Sequence, residues 1–358
     1  MLNLRFAATL ILCAVTALSP PTSQAAEKDR GLTVMTFNMD GGTYFGRIFL
    51  AQTFPQLVAA DSLTYAEIVA SNIPERATGI ADQIASAEPD LVALQEVFTY
   101  SVGPFPGTAT TVTADALQSL LDALEQRGQR YVVAGLLTNL DATVPALDPA
   151  TGLFSVRAVE HDAVLVRRDL PVSQLKIADV QAEHFAATAT FNSPLLGPIK
   201  LIRGWIAVDA RKRGKDYRFV TAHLDSNSPL LAAAQARELV TGPGDTSLPL
   251  VVAGDFNSDA ESANPVVNAA WRTMLEAGFV DVWSVIHPSD PGYTWPLHGE
   301  APYTPVETPN VRIDLMFARG NIRPVDISLI AHTLSDLTPS GLWPSDHAGL
   351  AATFVLEP

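Results

Sequence analysis

The sequence has 358 residues, of which 23 are basic and 38 acidic, so its formal net charge at pH 7 is −15. A surface of this sign does not attract polyanions at long range, which argues against tight nonspecific binding of nucleic acid. A single cysteine, Cys13, excludes a disulfide-stapled scaffold. The sequence shows no repeat, low-complexity tract or interdomain linker, and one domain is therefore expected.

Residues 1–25 have the organisation of a secretory signal peptide. Arg5 precedes an apolar run over 6–18, and small residues then lead to a cleavage site after Ala25. The run is too short to span a bilayer, and no later stretch is long enough. We therefore expect export to the periplasm or the exterior and a mature domain over 26–358. Without Arg5 and Cys13, that domain would contain no cysteine and would carry a net charge of −16.

Short apolar runs and period-two alternation predict strands, and apolar residues spaced three to four apart predict helices. The predicted strands cover 31–39, 91–95, 131–137, 163–166, 201–208, 218–222, 250–253, 311–317, 326–330 and 349–355. The predicted helices cover 74–87, 114–127, 230–240 and 265–277. Strands and helices alternate to the end of the chain, which is typical of an α/β protein.

Three connections between these elements have distinct compositions. Residues 40–72 are long for a connection, and their aromatic residues are Tyr44, Phe45, Phe49, Phe54 and Tyr65. Two interpretations stay open for this insertion: a helical flap that packs on the body, or a segment that faces substrate. Residues 138–160 are expected to form an irregular loop. The basic turn at 211–215 is expected to be a solvated hairpin tip rather than a phosphate site.

Acid, amide and imidazole side chains recur where the predicted strands end. They are Asn38, Glu96, His223, Asp255, Asn257, Asp346 and His347. Sites in α/β proteins are built at strand exits, so we expect these side chains to converge on one polar cavity. Singly, several have ordinary alternatives: the Asp255–Asn257 pair is a common turn pattern, and Asn38 could be only a turn residue.

The chemistry of this set favours a divalent cation with hard oxygen ligands. Carboxylate and amide oxygens suit Mg²⁺ or Mn²⁺, whereas a zinc site would call for a cysteine-rich or multi-histidine set. The sequence contains neither a glycine-rich phosphate loop nor a serine nucleophile elbow. Hydrolysis by a metal-assisted water is the reaction that these residues support.

Six short motifs follow one another along the chain. They are TFN (36–38), LQEV (94–97), TAHLDS (221–226), GDFN (254–257), RIDLMF (312–317) and SDH (345–347). In this order they resemble the endonuclease/exonuclease/phosphatase superfamily, which includes deoxyribonuclease I, apurinic endonucleases, neutral sphingomyelinases and inositol-polyphosphate 5-phosphatases. The resemblance spans Thr36 to His347. It implies a four-layer α/β sandwich, in which two mixed β-sheets pack face to face with helices outside.

The resemblance also implies roles for the residues at the first strand ends. Glu96 is similar to the principal Mg²⁺ ligand of the family, with Asn38 beside it. His223 resembles the histidine that stabilises charge on the phosphorus. Asp255 resembles the residue that orients and deprotonates the attacking water, and Asn257 resembles a neighbour of phosphate and metal.

The remaining implied roles fall in the last third of the chain, with one exception. Asp346 resembles a second carboxylate on the metal side, and His347 resembles the acid/base histidine. Asp314 is similar to the carboxylate that holds this histidine, although it could be only a polar strand residue. Arg203 is similar to a phosphate-contacting arginine. Two features depart from the family pattern: the 40–72 insertion is unusually long, and the pair at 161–162 has no evident role.

The expected function is that of a secreted, Mg²⁺-dependent phosphodiesterase that hydrolyses by direct attack of water. A nuclease is the first expectation, and a sphingomyelinase-like phospholipid phosphodiesterase is the alternative. A catalytically idle binding protein on the same fold is a further alternative, which the intact set of site residues disfavours. The expected partner is a phosphoester substrate, either nucleic acid or phospholipid, and the chain is expected to act as a monomer without a stable protein partner.

Overall fold

The structure, a computed structural model, describes residues 31–299 and 308–356, so the predicted signal peptide lies outside the described residues. The strands are β1 (Leu32–Asn38), β2 (Leu91–Pro104), β3 (Thr111–Asp115), β4 (Tyr131–Asp148), β5 (Gly152–Arg167), β6 (Leu175–His184), β7 (Ala189–Ser193), β8 (Gly197–Leu201), β9 (Gly204–Lys212), β10 (Lys215–His223), β11 (Leu250–Asp255), β12 (Val280–Asp281), β13 (Asp314–Arg319), β14 (Ile322–Ile330) and β15 (Gly349–Leu356). The helices are α1 (Gly46–Phe49), α2 (Phe54–Ala70), α3 (Ile73–Ala87), α4 (Ala116–Gln126), α5 (Pro229–Thr241), α6 (Ala269–Glu276) and α7 (Val282–Ile286), with a 3₁₀ turn at Leu334–Asp336.

Two mixed β-sheets form the body of the fold. The first has the order β14-β15-β1-β2-β5-β4, with β3 paired to β2, and the second has the order β12-β13-β11-β10-β9-β6. Each sheet contains one parallel pair, β1 with β2 and β10 with β11, between antiparallel neighbours. Strands β7 and β8 form a separate hairpin.

Apolar side chains on both faces of each sheet produce the four layers. In β1, Leu32 and Val34 pack between the two sheets, whereas Met35 and Phe37 face the opposite side, against α3 and α4. The outer face of the second sheet is covered in the same way by α5 and α6. A strand buried on both faces needs apolar residues at nearly every position, which explains the continuous apolar runs of the sequence. The predicted four-layer α/β sandwich is confirmed.

The prediction of an irregular loop over 138–160 is wrong. Strands β4 and β5, of 18 and 16 residues, pair as an antiparallel hairpin whose last pair is Asp148 with Gly152, with register shifts at 133–135 and 138–140. Strand β4 is the edge of the first sheet, beside β5, and is only partly buried, so its sequence lacks the apolar alternation of a core strand. Backbone pairing, rather than side-chain pattern, defines it.

The insertion at 40–72 contains two helices. Helix α2 begins after Thr53, whose side chain caps Gln56 N, and it packs on the β4–β5 hairpin through the edge-on contact of Tyr65 with Phe154, 5.5 Å between ring centroids. The flap interpretation therefore holds for α2, while the shorter segment around α1 lines a large cavity.

The remaining connections follow their local chemistry. The basic turn at 211–215 is the tip of the β9–β10 hairpin, as predicted, and Arg211 there forms a two-pronged ion pair with Asp216. It is not solvated throughout, because Lys212 is buried and pairs with Asp90. Strands β6, β7 and β8 were not predicted, because their outward positions are exposed and polar. Among the described residues, no helix combines the length and apolar character needed to cross a membrane.

Candidate active site

The parallel strands of the two sheets bring their ends together. In the first sheet Asn38 at the end of β1 pairs with Gln95, and in the second sheet His223 at the end of β10 pairs with Asp255. Asn38 joins the two edges, since its Nδ2 donates to Glu96 Oε1 and to Asp255 Oδ2, each over 3.2 Å. The face-to-face packing of the sheets therefore assembles the predicted residues into one site.

Glu96 lies at a bulge in β2, where the pairing with β5 shifts between Leu94 and Val97. Its φ angle of +53° is in the left-handed region that L-residues rarely adopt. The bulge turns the carboxylate into the cleft, where Gly41 N donates to Oε2 over 3.1 Å. Backbone strain of this kind persists at functional sites because the surrounding hydrogen bonds hold it.

The donor set around Glu96 fits a divalent cation. Burial raises the pKa of Glu96, and the negative charge of Asp346 raises it further, whereas the positive charges of Arg203 and His347 lower it. Glu96 and Asp346 line the same cavity, and Trp295 Nε1 donates to Asp346 Oδ2 over 3.0 Å, which orients that carboxylate. Carboxylate oxygens suit Mg²⁺ or Mn²⁺, and Glu96 and Asp346 would hold the ion. A bound ion would polarise a phosphoryl oxygen and neutralise developing charge.

Asn38 has a different orientation from that of an oxygen ligand. Its Oδ1 accepts from Asp40 N over 2.9 Å, which directs Nδ2 toward the acids. In this arrangement Asn38 positions Glu96 and Asp255. Its direct ligation of a metal stays a prediction.

Asp255 has the environment of a general base. Burial raises the pKa of Asp255 to about 6, although the positive charge on His347 lowers it. Asn257 N donates to Oδ1 over 2.9 Å, while Asn257 itself has a left-handed φ of +45° and donates its Nδ2 to Leu224 O. A carboxylate with a pKa slightly below neutrality is ionised at pH 7 and can still accept a proton from water.

His347 and Asp314 form a buried pair. His347 Nδ1 donates to Asp314 Oδ2 over 2.8 Å, and Asp314 is fully buried. Burial alone would lower the pKa of His347, but the charges of Asp314 and Asp346 outweigh it and hold the pKa well above 6.5. A carboxylate oxygen of Asp255, a carboxylate oxygen of Asp314 and a ring nitrogen of His347 all lie within 4.8 Å of one another. The ring is therefore held as an imidazolium beside the general base.

His223 has an arginine as its ring partner. Arg203 Nη1 lies 3.2 Å from His223 Nδ1, so Nδ1 accepts, and the proton of the ring is on Nε2, 3.5 Å from Asp255 Oδ2. Burial lowers the pKa of His223 well below 6.5, and the Arg203 charge lowers it further. A neutral ring with its proton on Nε2 can donate a hydrogen bond to a phosphoryl oxygen that comes within reach of it.

A wall of acidic residues behind Arg203 was not predicted from the sequence. Glu160 Oε1 lies 3.8 Å from Arg203 Nη1, and Asn139 Nδ2 donates to both Glu160 and Asp162. Burial raises the pKa of Glu160 to about 7 and that of Asp162 well above its usual range. The wall partly neutralises Arg203 and fixes its position. Of the pair at 161–162, only Asp162 faces the site, since His161 bonds to Thr138 on the hairpin surface.

The cleft continues from this polar end into a cavity of about 640 Å³. Glu96, Arg203 and Asp346 line the polar end, and the rest is lined mainly by apolar residues of the insertion and the β7–β8 hairpin. Asp255 is not among the residues that line this cavity, and it is linked to Glu96 through their shared hydrogen-bond donor, Asn38. The structure thus brings all nine predicted site residues into one region. It adds Asn139, Glu160, Asp162 and Trp295, for which the strand-end pattern gave no signal.

Comparison with known proteins agrees with this geometry. The model of the Endonuclease/Exonuclease/phosphatase family matches residues 35–347. The chain belongs to this family. It is a metal-dependent phosphoester hydrolase, as members of the family are. No curated protein matches the sequence.

Solved structures share the fold at low sequence identity. D. rerio TDP2, complexed with a single-strand DNA product, is 17% identical over 90% of this chain and 98% of its own, with a TM-score of 0.51. A family protein of Bacteroides thetaiotaomicron is 17% identical over 92% of this chain and 98% of its own, with a TM-score of 0.54. A mannosyl-6-phosphatase of the same organism is 17% identical over 90% and 99%, with a TM-score of 0.52.

Proposed function

We propose that this member of the family is an exported, Mg²⁺-dependent phosphodiesterase that hydrolyses its substrate by direct in-line attack of water. The observation that carries the proposal is the placement of Asp255, an acid with a pKa of about 6, between Asn38 and the imidazolium of His347. A carboxylate beside an imidazolium can take the proton of an attacking water while the imidazolium stabilises the charge that develops on the same side of the phosphorus.

Each residue then has a defined step. Asp255 accepts a proton from the attacking water as the new bond to phosphorus forms. His223 donates from Nε2 to a phosphoryl oxygen, and Arg203 adds positive charge at the same end of the cleft. His347, next to Asp255, donates from Nε2 to a phosphoryl oxygen as charge develops, while its Nδ1 stays bonded to Asp314. The leaving oxygen departs on the opposite side of the phosphorus and takes its proton from solvent.

Two classes of substrate are candidates for this reaction. Nucleic acid is the first, supported by the DNA-product complex of the structural neighbour TDP2. A phospholipid is the second, favoured by the apolar residues in the lining of the cavity that also contains Glu96.

The proposal of export rests on the composition of residues 1–25. It is tested by fractionating expressing cells and sequencing the N-terminus of the mature protein.

The experiment that tests the reaction uses small chromogenic esters. Bis-p-nitrophenyl phosphate, a diester, is compared with p-nitrophenyl phosphate, a monoester, in the presence of Mg²⁺ or Mn²⁺. We expect preferential hydrolysis of the diester, and incorporation of labelled solvent oxygen into product in a single turnover. Exclusive hydrolysis of the monoester would instead assign a phosphatase activity, like that named for the Bacteroides neighbour.

A further inference from the structure

Helix α3 begins beside the active site and carries a buried arginine. Arg76, in the first turn of the helix, is only 2% exposed. Its guanidinium lies within hydrogen-bond distance of four backbone carbonyl oxygens and one carboxylate oxygen. They are Ser71 O (3.0 Å), Met39 O (3.0 Å), Asp40 O (2.9 Å), Pro344 O (3.2 Å) and Asp40 Oδ2 (3.1 Å). A planar fork of donors can join separate backbone segments in this way, and a buried charge is tolerated only with such partners.

Three of these contacts hold the turn that follows β1. Asp40 in this turn has a φ of +57°, in the left-handed region that residues other than glycine rarely adopt. The turn presents two backbone N–H groups to the site: Asp40 N donates to Asn38 Oδ1 over 2.9 Å, and Gly41 N donates to Glu96 Oε2 over 3.1 Å. The bonds from Arg76 therefore fix, through the backbone, where the carboxylate of Glu96 lies.

A fourth contact reaches the turn that precedes β15. Pro344 O accepts from Arg76, and Pro344 lies two residues before Asp346, the second carboxylate assigned to the cation. Further along α3, Gly79 faces the same proline: a Cβ atom at this position would lie 2.9 Å from Pro344 Cγ, closer than such atoms pack. Glycine is less favourable than alanine inside a helix, and this contact gives a reason for it. Helix α3 thus touches both turns that position the two acids.

We propose that α3 is a rigid spacer that sets the distance between the carboxylates of Glu96 and Asp346, with Arg76 and Gly79 as its positioning residues. This inference rests on the metal-dependent reaction of the proposed function and adds the residues that shape its metal site. Magnesium requires near-octahedral oxygen ligands at about 2.1 Å, so a displacement of one carboxylate relative to the other weakens binding. Both positioning residues act through the backbone of the two turns rather than as ligands.

The contact of Gly79 is tested with Gly79→Ala. Because alanine favours a helix more than glycine does, the variant should fold, while its methyl group must displace Pro344 and with it Asp346. Isothermal titration with Mn²⁺, without substrate, should show a dissociation constant raised about tenfold. Ser86→Ala is the matched control, since Ser86 is exposed on the same helix and its replacement also favours the helix. The control should keep the wild-type dissociation constant.

The guanidinium is tested with Arg76→Lys. Lysine keeps the positive charge beside Asp40, but its single ammonium group cannot join the carbonyl oxygens of both turns as a planar fork does. The Mn²⁺ dissociation constant should rise about 10- to 100-fold. With bis-p-nitrophenyl phosphate as substrate, the Mn²⁺ concentration for half-maximal activity should rise, whereas kcat at saturating Mn²⁺ should fall by a smaller factor.

Arg218→Lys is the control for a general loss of stability. Arg218 donates to both carboxylate oxygens of Asp209 and to Pro243 O, near the start of β10, which ends at His223. The free energy of unfolding of both lysine variants is measured by denaturant titration, and Mn²⁺ is titrated at a temperature where both are folded. Arg218→Lys should keep the wild-type dissociation constant even if its stability falls as much.

The outcomes separate the spacer from the reaction. Wild-type Mn²⁺ affinity in Gly79→Ala or in folded Arg76→Lys would contradict the proposal, and equal losses of affinity in Arg76→Lys and Arg218→Lys would reduce Arg76 to a structural role. If Arg76→Lys does not fold, Gly79→Ala decides alone. A wild-type protein that binds no Mn²⁺ overturns the metal site and the spacer with it. One that binds Mn²⁺ but does not hydrolyse bis-p-nitrophenyl phosphate overturns the phosphodiesterase function, and the titrations still decide on the spacer.

Discussion

His347 Nδ1 and Asp314 Oδ2 lie 2.8 Å apart in a part of the site where Asp314 is fully buried. His347 precedes β15 of the first sheet, and Asp314 begins β13 of the second sheet, so the pair links the two sheets behind the cleft. Breaking a buried pair leaves an uncompensated group in a medium of low dielectric constant, which is costly. The hydrogen bond therefore fixes the tautomer of His347 and aims Nε2 at the cleft.

Asp314→Asn should fold and be severely impaired. Burial lowers the pKa of His347 and the Asp314 charge raises it, so removing that charge leaves the lower pKa. A reaction that needs the imidazolium loses its acid as pH rises through this pKa. The alkaline limb of kcat against pH should therefore lie at lower pH in Asp314→Asn than in wild type, measured on bis-p-nitrophenyl phosphate.

His347→Ala is the companion variant. It should lose roughly two to three orders of magnitude in kcat, the usual contribution of a positioned donor to developing charge. Coincident alkaline limbs for wild type and Asp314→Asn, with similar rates, would show that Asp314 has only a structural role.

Glu96→Gln should leave the fold intact and abolish most activity. The amide keeps the size of the side chain but removes the negative charge that would hold the cation. Isothermal titration with Mg²⁺ or Mn²⁺ should show weaker binding by the variant, independently of any assay of turnover. Chelation of wild type should also abolish activity, and full activity in excess chelator would rule out the metal-dependent mechanism.

Arg203 controls the protonation of His223 in this arrangement. Since burial and the Arg203 charge both lower the pKa of His223, its ring should stay neutral, with the proton on Nε2, between about pH 5 and 8. In Arg203→Gln the pKa of His223 should rise. NMR of nitrogen-labelled histidine measures the tautomer and the titration directly. Arg213→Gln, at the distant β9–β10 hairpin tip, is the charge-matched control, and identical His223 titrations in both variants would refute the assignment.

The segment around α1 should affect large substrates more than small ones. Phe49→Asp places a charge in the apolar wall next to Phe191, which should strongly raise KM for a large substrate. Hydrolysis of bis-p-nitrophenyl phosphate should change little, because this ester is confined to the polar end. Leu63→Asp is the control within the same insertion, since Leu63 is on α2 and is 51% exposed. Equal losses of Phe49→Asp on both substrates would exclude a recognition role for the segment.

Local sequence patterns were sufficient to predict the strands that are buried on both faces. Alternation located β1, and apolar runs located β11 and the start of β2. Asn38 and Asp255 lie at strand ends, as predicted, but the predicted strand end before Glu96 is wrong, because β2 continues past a bulge to Pro104. This information is local, because a strand buried on both faces must be apolar throughout and a polar residue at its exit can be tolerated only where a cavity or a partner receives it. The order of the six motifs then identified the family and, through it, the stacking of the two sheets.

Only the tertiary structure decided which side chains meet. Asn139 and Glu160 lie 21 residues apart, and they touch because β4 pairs with β5 in a hairpin whose half-exposed sequence resembles a loop. Arg76 is part of the apolar face of α3 in sequence, yet it is buried and donates to the carbonyl oxygens of Met39 and Pro344. Periodicity along a chain determines which face of an element is buried. Which residues pack against that buried face depends on backbone pairing and sheet packing between residues distant in sequence, and a local pattern does not contain this information.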